Sequence, residues 1–226
     1  MTPVDPSQAL PFTVRPVKDA ASLAAACLVR SVAYGSKNES YREVMMHPDA
    51  IDASPRTTVY LCERKADGVA VGSMRIQHAV LPSDLLEIER YVGVLPAYAT
   101  RRRAEVTRLS AIPGADPYVR LALWKVAYVH AHQHGIALIM VGARRQSLIR
   151  TYLEMGYKVV MPATRLPYAG GLPHEILAAD LKEAEAHWRD VGHPMLEFML
   201  VSHTDISIES GSSMENRPEE QVVRIF

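Results

Sequence analysis

The sequence predicts an α/β protein in which helices flank one central mixed β-sheet. Three observations lead to this fold class. The chain of 226 residues is 48% apolar, which is enough to bury a sizeable core. Segments rich in β-branched residues alternate with segments of helical periodicity. A strand, a helix and a second strand follow one another over residues 104–143, and such a crossover places its two strands in parallel.

The N-terminal part predicts a strand followed by a helix. The sequence FTVRPV (12–17) has strand character, and Asp19 can cap the helix AASLAAACLVRSVAYG that ends near Gly35. Residues 34–56 are polar and contain two prolines without a clean period. They predict an irregular segment with room for one short helix.

A hairpin and a long connection come next. Two β-rich segments, 57–65 and 69–79, flank the turn sequence ADG and predict a β-hairpin. The connection 80–103 is long enough to indicate a functional segment. It leads into RAEVTRLSAIPG (103–114), a strand with apolar core residues and two unexpected charges.

The remaining elements complete the sheet. The segment 116–135 predicts a long helix with Gly135 at its end, and the apolar run 136–143 predicts a central strand that is buried on both faces. The helix RQSLIRTYLEM ends at Gly156, and YKVVMPAT and HEILAADL predict the closing strands. Without an internal repeat or linker, residues 1–204 predict a single domain, and residues 205–226 predict a mobile tail.

The composition narrows the function classes. The 25 basic and 25 acidic residues balance, which argues against a nucleic-acid or anionic-membrane partner. Cys27 and Cys62 lie in apolar runs and predict buried thiols rather than a disulfide. The sequence has no apolar run of about 18 residues and no signal-peptide pattern, so we expect a cytoplasmic protein without a transmembrane segment.

The charges of the strand 103–114 carry the functional hypothesis. The stretch AEVTRLSAI contains the pattern Glu-x-Thr-Arg at Glu105, Thr107 and Arg108, and the hairpin contains Gly-x-x-Arg at Gly72 and Arg75. In this order and spacing they resemble the GNAT-fold N-acyltransferases. The similarity covers residues 12–181 and is greatest to the branch of autoinducer (acyl-homoserine lactone) synthases and N-acyl amino acid synthases.

The resemblance implies the roles of several residues in acyl transfer to an amine. Glu105 is the candidate base, and Arg75 and Arg108 are candidates to hold an acceptor carboxylate. The alternative for Glu105 is a buried ion pair with an arginine that only stabilises the sheet. Tyr152 occupies the position of a possible acid that protonates the leaving thiolate, and the alternative is a tyrosine that only packs in the core. In a regular strand residues 105 and 108 face opposite sides, so they share a site only if the strand bulges. The candidate oxyanion donors are the backbone amides around Leu109, Ser110 and Ala111.

The acyl donor is expected to be an acyl carrier protein or acyl-CoA, with no tightly bound cofactor. The turn SAIPGADPYVR has one glycine, two prolines and Asp116, which make a poor cradle for the pyrophosphate of CoA. Carrier proteins are acidic, and two basic groups are candidate docking residues, with a solvated charged loop as the alternative. These groups are Arg101, Arg102 and Arg103, and Arg144 and Arg145.

Other interpretations remain open at this stage. The leading hypothesis is an N-acyltransferase that joins a long-chain fatty acyl group to the α-amine of an amino acid. A homoserine lactone synthase is the alternative enzyme, although Arg30 and Tyr34 match its N-terminal pattern without the accompanying tryptophan. A CoA-dependent acetyltransferase and an inactive lipid- or protein-binding module are further alternatives. His130 and His134 share a helical face, but no cysteine or acidic residue completes a metal site, so we predict none.

Overall fold

The computed structural model describes residues 9–167 and 170–208. Within these residues lie seven strands, seven helices and a 3-10 turn at Pro96–Tyr98. The strands are β1 (Phe12–Pro16), β2 (Thr57–Arg64), β3 (Ala70–Ala79), β4 (Arg103–Ala111), β5 (Leu138–Ala143), β6 (Lys158–Arg165) and β7 (Pro173–Asp180). The helices are α1 (Ala20–Gly35), α2 (Ser40–Met46), α3 (Glu89–Val92), α4 (Tyr118–Gln133), α5 (Gln146–Glu154), α6 (Leu181–Asp190) and α7 (Leu196–Leu200).

The strands form one mixed sheet in the order β1-β2-β3-β4-β5-β7-β6. All neighbouring strands are antiparallel except β4 and β5, which are parallel and connected through α4. The predicted mixed sheet and its parallel crossover are therefore confirmed. The parallel pairing is short, because it joins only 103–105 to 138–140 before the two strands separate.

The two faces of the sheet differ in what covers them. On one face, apolar residues of the central strands, such as Met74 and Ile76, pack against α4 in the largest core cluster. On the other face, α1 packs on Val59 and Leu61, and the segment 86–88 contributes to a second cluster. Because side chains alternate along a strand, Arg75 points to this second face.

The C-terminal helices α6 and α7 are absent from the sequence prediction. Asp180 caps α6 by accepting hydrogen bonds from the amides of Lys182 and Glu183. The apolar side chains of α6, which include Trp188, pack in the main core. The sequence carried a signal for this helix, since Asp-x-x-Glu before an amphipathic run is a capping pattern.

The start of the predicted tail contacts the sheet. Val14 of β1 donates a hydrogen bond to the carbonyl of Asp205, and its own carbonyl accepts one from Ser207. Residues 209–226, most of the predicted tail, lie outside the described residues, as do residues 1–8. The thiols of Cys27 and Cys62 are free and buried, as predicted. No helix within the described part of the chain has both the length and the apolar character to cross a membrane.

Candidate active site

Strand β4 bends sharply at Arg108. This residue has a backbone φ of 55°, in the left-handed region that favours glycine. The register between β3 and β4 shifts between Ser73 and Arg75, so that two residues of β4 oppose one of β3. Such a β-bulge redirects the side chains that follow. It brings Arg108 to the side of the sheet where Arg75, Glu105 and Thr107 lie, which is the geometry that a shared site requires.

Arg75 is the centre of a buried ionic cluster. Its side chain is wholly buried, and its Nε donates a hydrogen bond to Thr107 Oγ1 at 2.9 Å. Its Nη1 lies 2.6 Å from Asp49 and 3.5 Å from Asp52, and its Nη2 lies 2.5 Å from Glu87. Three carboxylates therefore surround this guanidinium. The expectation that Arg75 holds a substrate carboxylate does not fit this burial, since Arg75 organises acidic side chains of the protein instead.

The cluster also sets the charge of its carboxylates. Burial raises the pKa of Asp49, but the contacts with Arg75 and Arg108 outweigh it, so the pKa of Asp49 is lower than usual. Burial raises the pKa of Glu87 above its ordinary value in spite of the nearby Arg75. Asp49 is therefore ionised at neutral pH, and Glu87 accepts a proton more readily than an exposed glutamate does.

Arg108 is the arginine of this cluster that reaches open space. Its side chain is 13% exposed, and its Nη2 lies 3.1 Å from Asp49 Oδ2. Its Nη1 donates to the sulfur of Met45 at 3.2 Å. Asp49 thus bridges Arg75 and Arg108 with one oxygen for each. Because a thioether is a weak acceptor, the Arg108 guanidinium retains donor capacity for a carboxylate.

Glu105, the predicted base, is wholly buried. Its Oε2 accepts a hydrogen bond from the backbone amide of Ile88 at 2.8 Å. The opposing residue on β3, Gln77, accepts one from the amide of Glu87 at 2.7 Å. These two side chains hold the segment 86–89 against the sheet. This observation gives Glu105 a structural contact, and its role as a base stays a prediction.

A cleft of about 800 Å³ opens where β4 and β5 separate. Its volume lies within the usual range for small-molecule sites. The predicted oxyanion residues Leu109, Ser110 and Ala111 line it, together with Thr107 and Arg108. Beyond Glu105 no backbone pairing joins β4 to β5 in the described structure, so the amides of β4 that point away from β3 face the cleft.

The cleft combines apolar walls with a cationic rim. Apolar side chains, among them Trp124, Leu148 and Leu166, form part of its lining. Four exposed cationic residues also line it, whereas its acidic lining residue is Asp116. These cations are Lys37, Arg120, Arg144 and Arg145. An anion with an apolar chain is the ligand that matches such a surface.

Tyr152 lies in the core beside this cleft. Its ring is 5% exposed and contacts the rings of Trp124 and Tyr157, at centroid distances of 5.9 and 5.0 Å. Burial raises the pKa of Tyr152 to about 12. The structure thus shows the packing role for Tyr152, and proton donation to a thiolate stays a prediction.

The arginines at 101–103 do not form one exposed patch. Arg103 is wholly buried and forms an ion pair with Glu89, with 2.5 Å between Nε and Oε1. The prediction that Arg103 contacts a partner protein is therefore wrong, because its guanidinium faces the interior. Arg101 forms an ion pair with Asp180, and Arg102 is exposed. Arg144 and Arg145, in contrast, are exposed at the cleft, as a docking role requires.

The turn between β4 and α4 places the carboxylate of Asp116 at the N-terminus of α4. Asp116 accepts a hydrogen bond from the amide of Tyr118 at 2.8 Å, and its carbonyl accepts one from the amide of Val119 at 3.0 Å. Pro117 has no amide hydrogen to offer. A carboxylate of the protein therefore lies where a helix N-terminus would otherwise bind phosphate.

Sequence reasoning missed the acidic half of the site. Asp49 and Asp52 come from the irregular segment 34–56, which carried no recognisable motif. Glu87 and Glu89 come from the connection 80–103, whose length alone indicated a function. These four carboxylates pair with Arg75 and Arg103. Both arginines can be buried for this reason, because a buried guanidinium requires a carboxylate partner.

Comparison with known proteins gives a consistent result for the fold. No protein-family model matches the sequence, and no curated protein does either. Among solved structures, the chain is similar to FeeM, an N-acyl amino acid synthase from uncultured soil microbes, with a TM-score of 0.62 and 16% identity over 78% of this chain and 94% of that chain.

Two further structures have different activities. A CoA-dependent acyl-homoserine lactone synthase, BjaI, matches with a TM-score of 0.57 and 14% identity over 88% of this chain and 94% of that one. The ribosomal-protein-S18-alanine N-acetyltransferase from Escherichia coli matches with a TM-score of 0.50 and 13% identity over 75% and 94%. Identities this low establish the architecture and not the substrate. The chain therefore has the fold of the GNAT N-acyltransferases.

Proposed function

We propose that this protein is an N-acyltransferase that moves a long-chain fatty acyl group from a carrier thioester to the α-amine of an amino acid. The observation that carries the proposal is the cleft between β4 and β5, which has apolar walls and reaches Arg108 of the ionic cluster. It offers one place for an acyl chain and a neighbouring place for an anionic acceptor. The similarity to an N-acyl amino acid synthase supports the same acceptor class.

The donor lies along the free edge of β4. A pantetheine arm carries amide groups, and the unpaired backbone of β4 beyond Glu105 can bind them as a neighbouring strand would. The acyl chain then extends along the apolar lining, which includes Trp124 and Leu148. The thioester carbonyl lies close to the amides around Ser110, which stabilise the tetrahedral oxyanion.

The acceptor lies on the side of Arg108. Its guanidinium binds the carboxylate of the amino acid, since a planar fork matches a carboxylate. Asp49 holds this guanidinium in place from behind, at 3.1 Å. Arg75 takes no direct part, because its donors are directed to Asp49, Asp52 and Glu87.

The reaction needs a base for the acceptor amine. An amine attacks the thioester only as the free base, so its ammonium form must first lose a proton. Glu105 is the proposed acceptor of this proton, on the ground of its motif with Thr107 and Arg108. Acylation forms the amide bond and breaks the C–S bond, and the leaving thiolate takes up one proton.

The donor is an acyl carrier protein rather than CoA. The Asp116 carboxylate at the start of α4 repels a pyrophosphate, whereas the arm of a carrier protein has a single phosphate. The exposed Arg144 and Arg145 fit an acidic carrier protein at the mouth of the cleft.

The experiment is a donor-by-acceptor screen. Purified protein is incubated with acyl carrier protein or CoA thioesters of several chain lengths, together with pooled amino acids and S-adenosylmethionine. We expect N-acyl amino acids by mass spectrometry. An acyl-homoserine lactone as the product would replace the proposal by lactone synthesis, and the absence of any amide from every donor would overturn the enzymatic proposal.

A further inference from the structure

A cluster of three histidines lies on the α4 face of the sheet, outside the cleft. His78 is near the end of β3, and His130 and His134 are one turn apart at the end of α4. His78 and His130 are 4% and 0% exposed, and His134 is half-buried. None of these three side chains lines the cleft described above. The acyl-transfer proposal therefore gives them no role.

The ring nitrogens of the three histidines lie close to one another. One ligand nitrogen from each ring lies within 4.8 Å of the other two. The Nε2 atoms of His78 and His130 are 2.5 Å apart, and the rings of His130 and His134 stack at 4.1 Å between centroids. In a tetrahedral zinc site with Zn–N distances of about 2.0–2.1 Å, the nitrogens are about 3.3 Å apart. To bind one ion, the rings of His130 and His134 must turn out of this stacked arrangement, because the lone pair of an imidazole nitrogen lies in the plane of its ring.

The short distance between two of the nitrogens also points to a group that joins them. Nε2 of His78 and Nε2 of His130 are both buried and face each other. Two ring nitrogens this close need a proton or a metal ion between them.

A second residue orients the central histidine. The hydroxyl of Tyr60, which is wholly buried on β2, lies 2.7 Å from Nδ1 of His130. If Nδ1 carries the hydrogen and donates it to this oxygen, Nε2 is left as the ligand atom. Metal-binding histidines commonly have such a partner on their other nitrogen.

The charges around the cluster are partly compensated. Arg56 donates a hydrogen bond to the carbonyl of His78, and its guanidinium lies 3.6 Å from Asp84. Arg102 is exposed to solvent.

Three imidazoles without a carboxylate favour zinc and its neighbours over magnesium or calcium.

We propose that His78, His130 and His134 bind one Zn²⁺ ion, with water as the fourth ligand on the half-buried side of His134. The ion joins β3 to α4 through the side chains of both elements. Its site is separate from the cleft, so its effect is on the stability of the fold.

The test is a Zn²⁺ titration of the full chain without a histidine tag. Protein treated with a chelator is titrated in competition with a chromophoric chelator, and Co²⁺ replaces Zn²⁺ for a visible spectrum. We expect one Zn²⁺ per chain, the intense absorption of tetrahedral Co²⁺, and a higher thermal midpoint with Zn²⁺. His134→Ala should bind Zn²⁺ at least tenfold more weakly, since it removes one of three ligands.

Two further variants make the test specific. His132→Ala is the matched control, because His132 is exposed on the same helix and outside the cluster. It should bind Zn²⁺ as the wild type does. Tyr60→Phe keeps the ring, removes the hydroxyl and should weaken binding by about 10–100-fold. Equal Zn²⁺ affinity of the wild type and His134→Ala, with unchanged circular dichroism, would overturn the proposal, as would no stoichiometric binding to the wild type.

Discussion

The two halves of strand β4 use charged residues in different ways. In the first half, Arg103 and Glu105 are wholly buried and directed to the segment 84–89. In the second half, Arg108 at the bulge is partly exposed and lines the cleft with Thr107. The same strand therefore fastens a long connection at one end and forms a binding surface at the other. The comparison teaches that the charge of a strand residue does not reveal its role until its partner is known.

The largest effect is expected from breaking the buried pair in the first half. Arg103→Met leaves the Glu89 carboxylate buried without its cation and should lower the free energy of unfolding by about 3–5 kcal/mol. Urea unfolding at 25 °C measures this change in the free energy of unfolding. The matched control is Lys158→Ala, because its ion pair with Glu183 is exposed. The control should change stability by less than about 1 kcal/mol.

A double variant separates the lost charge pair from lost packing. Arg103→Met combined with Glu89→Leu replaces both ions by apolar side chains and should recover at least half of the lost stability. If the double variant is no more stable than Arg103→Met, the destabilisation comes from the packing or the hydrogen bonds of Arg103. The charge pair would then not be the feature that fastens the connection.

Glu105 lies at the border of the two halves, and Glu105→Gln decides to which it belongs. The amide oxygen of glutamine can still accept the hydrogen bond from Ile88, so the fold should persist. Loss of the base should lower kcat by about a hundredfold or more. Glu87→Gln, in the neighbouring ionic cluster, serves as the comparison. Normal turnover of Glu105→Gln would assign Glu105 to the structural half alone.

A smaller effect is expected at Arg108, in the second half. Arg108→Gln removes the proposed charge-assisted contact with the acceptor carboxylate, which is worth about 1.5–3 kcal/mol. The KM for the amino acid should rise by about 10–100-fold. Arg108→Gly should lose the same affinity, but it should be about 1 kcal/mol more stable than Arg108→Gln because it relieves the φ of 55°. An unchanged KM for both variants would exclude Arg108 from the acceptor site.

Much of the fold follows from the sequence, because periodicity and turn residues act locally. The β2–β3 hairpin, the long helix α4 and the parallel β4–β5 pair are predicted and observed. The helix α6 was detectable from Asp180 and Glu183 and from the apolar spacing of Leu181, Ala184 and Trp188. Local patterns thus suffice where the residues that decide the structure are neighbours in the chain.

The site depended on contacts that no local pattern contains. Three consecutive arginines at 101–103 indicate an exposed patch, yet Arg103 is buried because Glu89 approaches it from a distant connection. The bulge at Arg108 lacks the glycine that commonly marks a positive φ. Asp49 joins two arginines from different strands across long separations in the sequence. Motif residues were found, but their partners and exposure were not.

The smallest effect is expected at Asp116, where the second half of β4 leads into α4. Asp116→Ala removes a negative charge and frees the amide of Tyr118 for a phosphate. A charge at a helix N-terminus is worth about 0.3–1 kcal/mol, so the ratio of acyl-CoA to acyl carrier protein turnover should rise by about two- to fivefold. Asp67→Asn is the control, because Asp67 is exposed and lies in the β2–β3 turn. A ratio of two donors is independent of the fraction of active protein. If this ratio does not change, CoA is excluded by the prolines of the turn and not by the carboxylate of Asp116. The prolines lack the amide hydrogens that a pyrophosphate would bind.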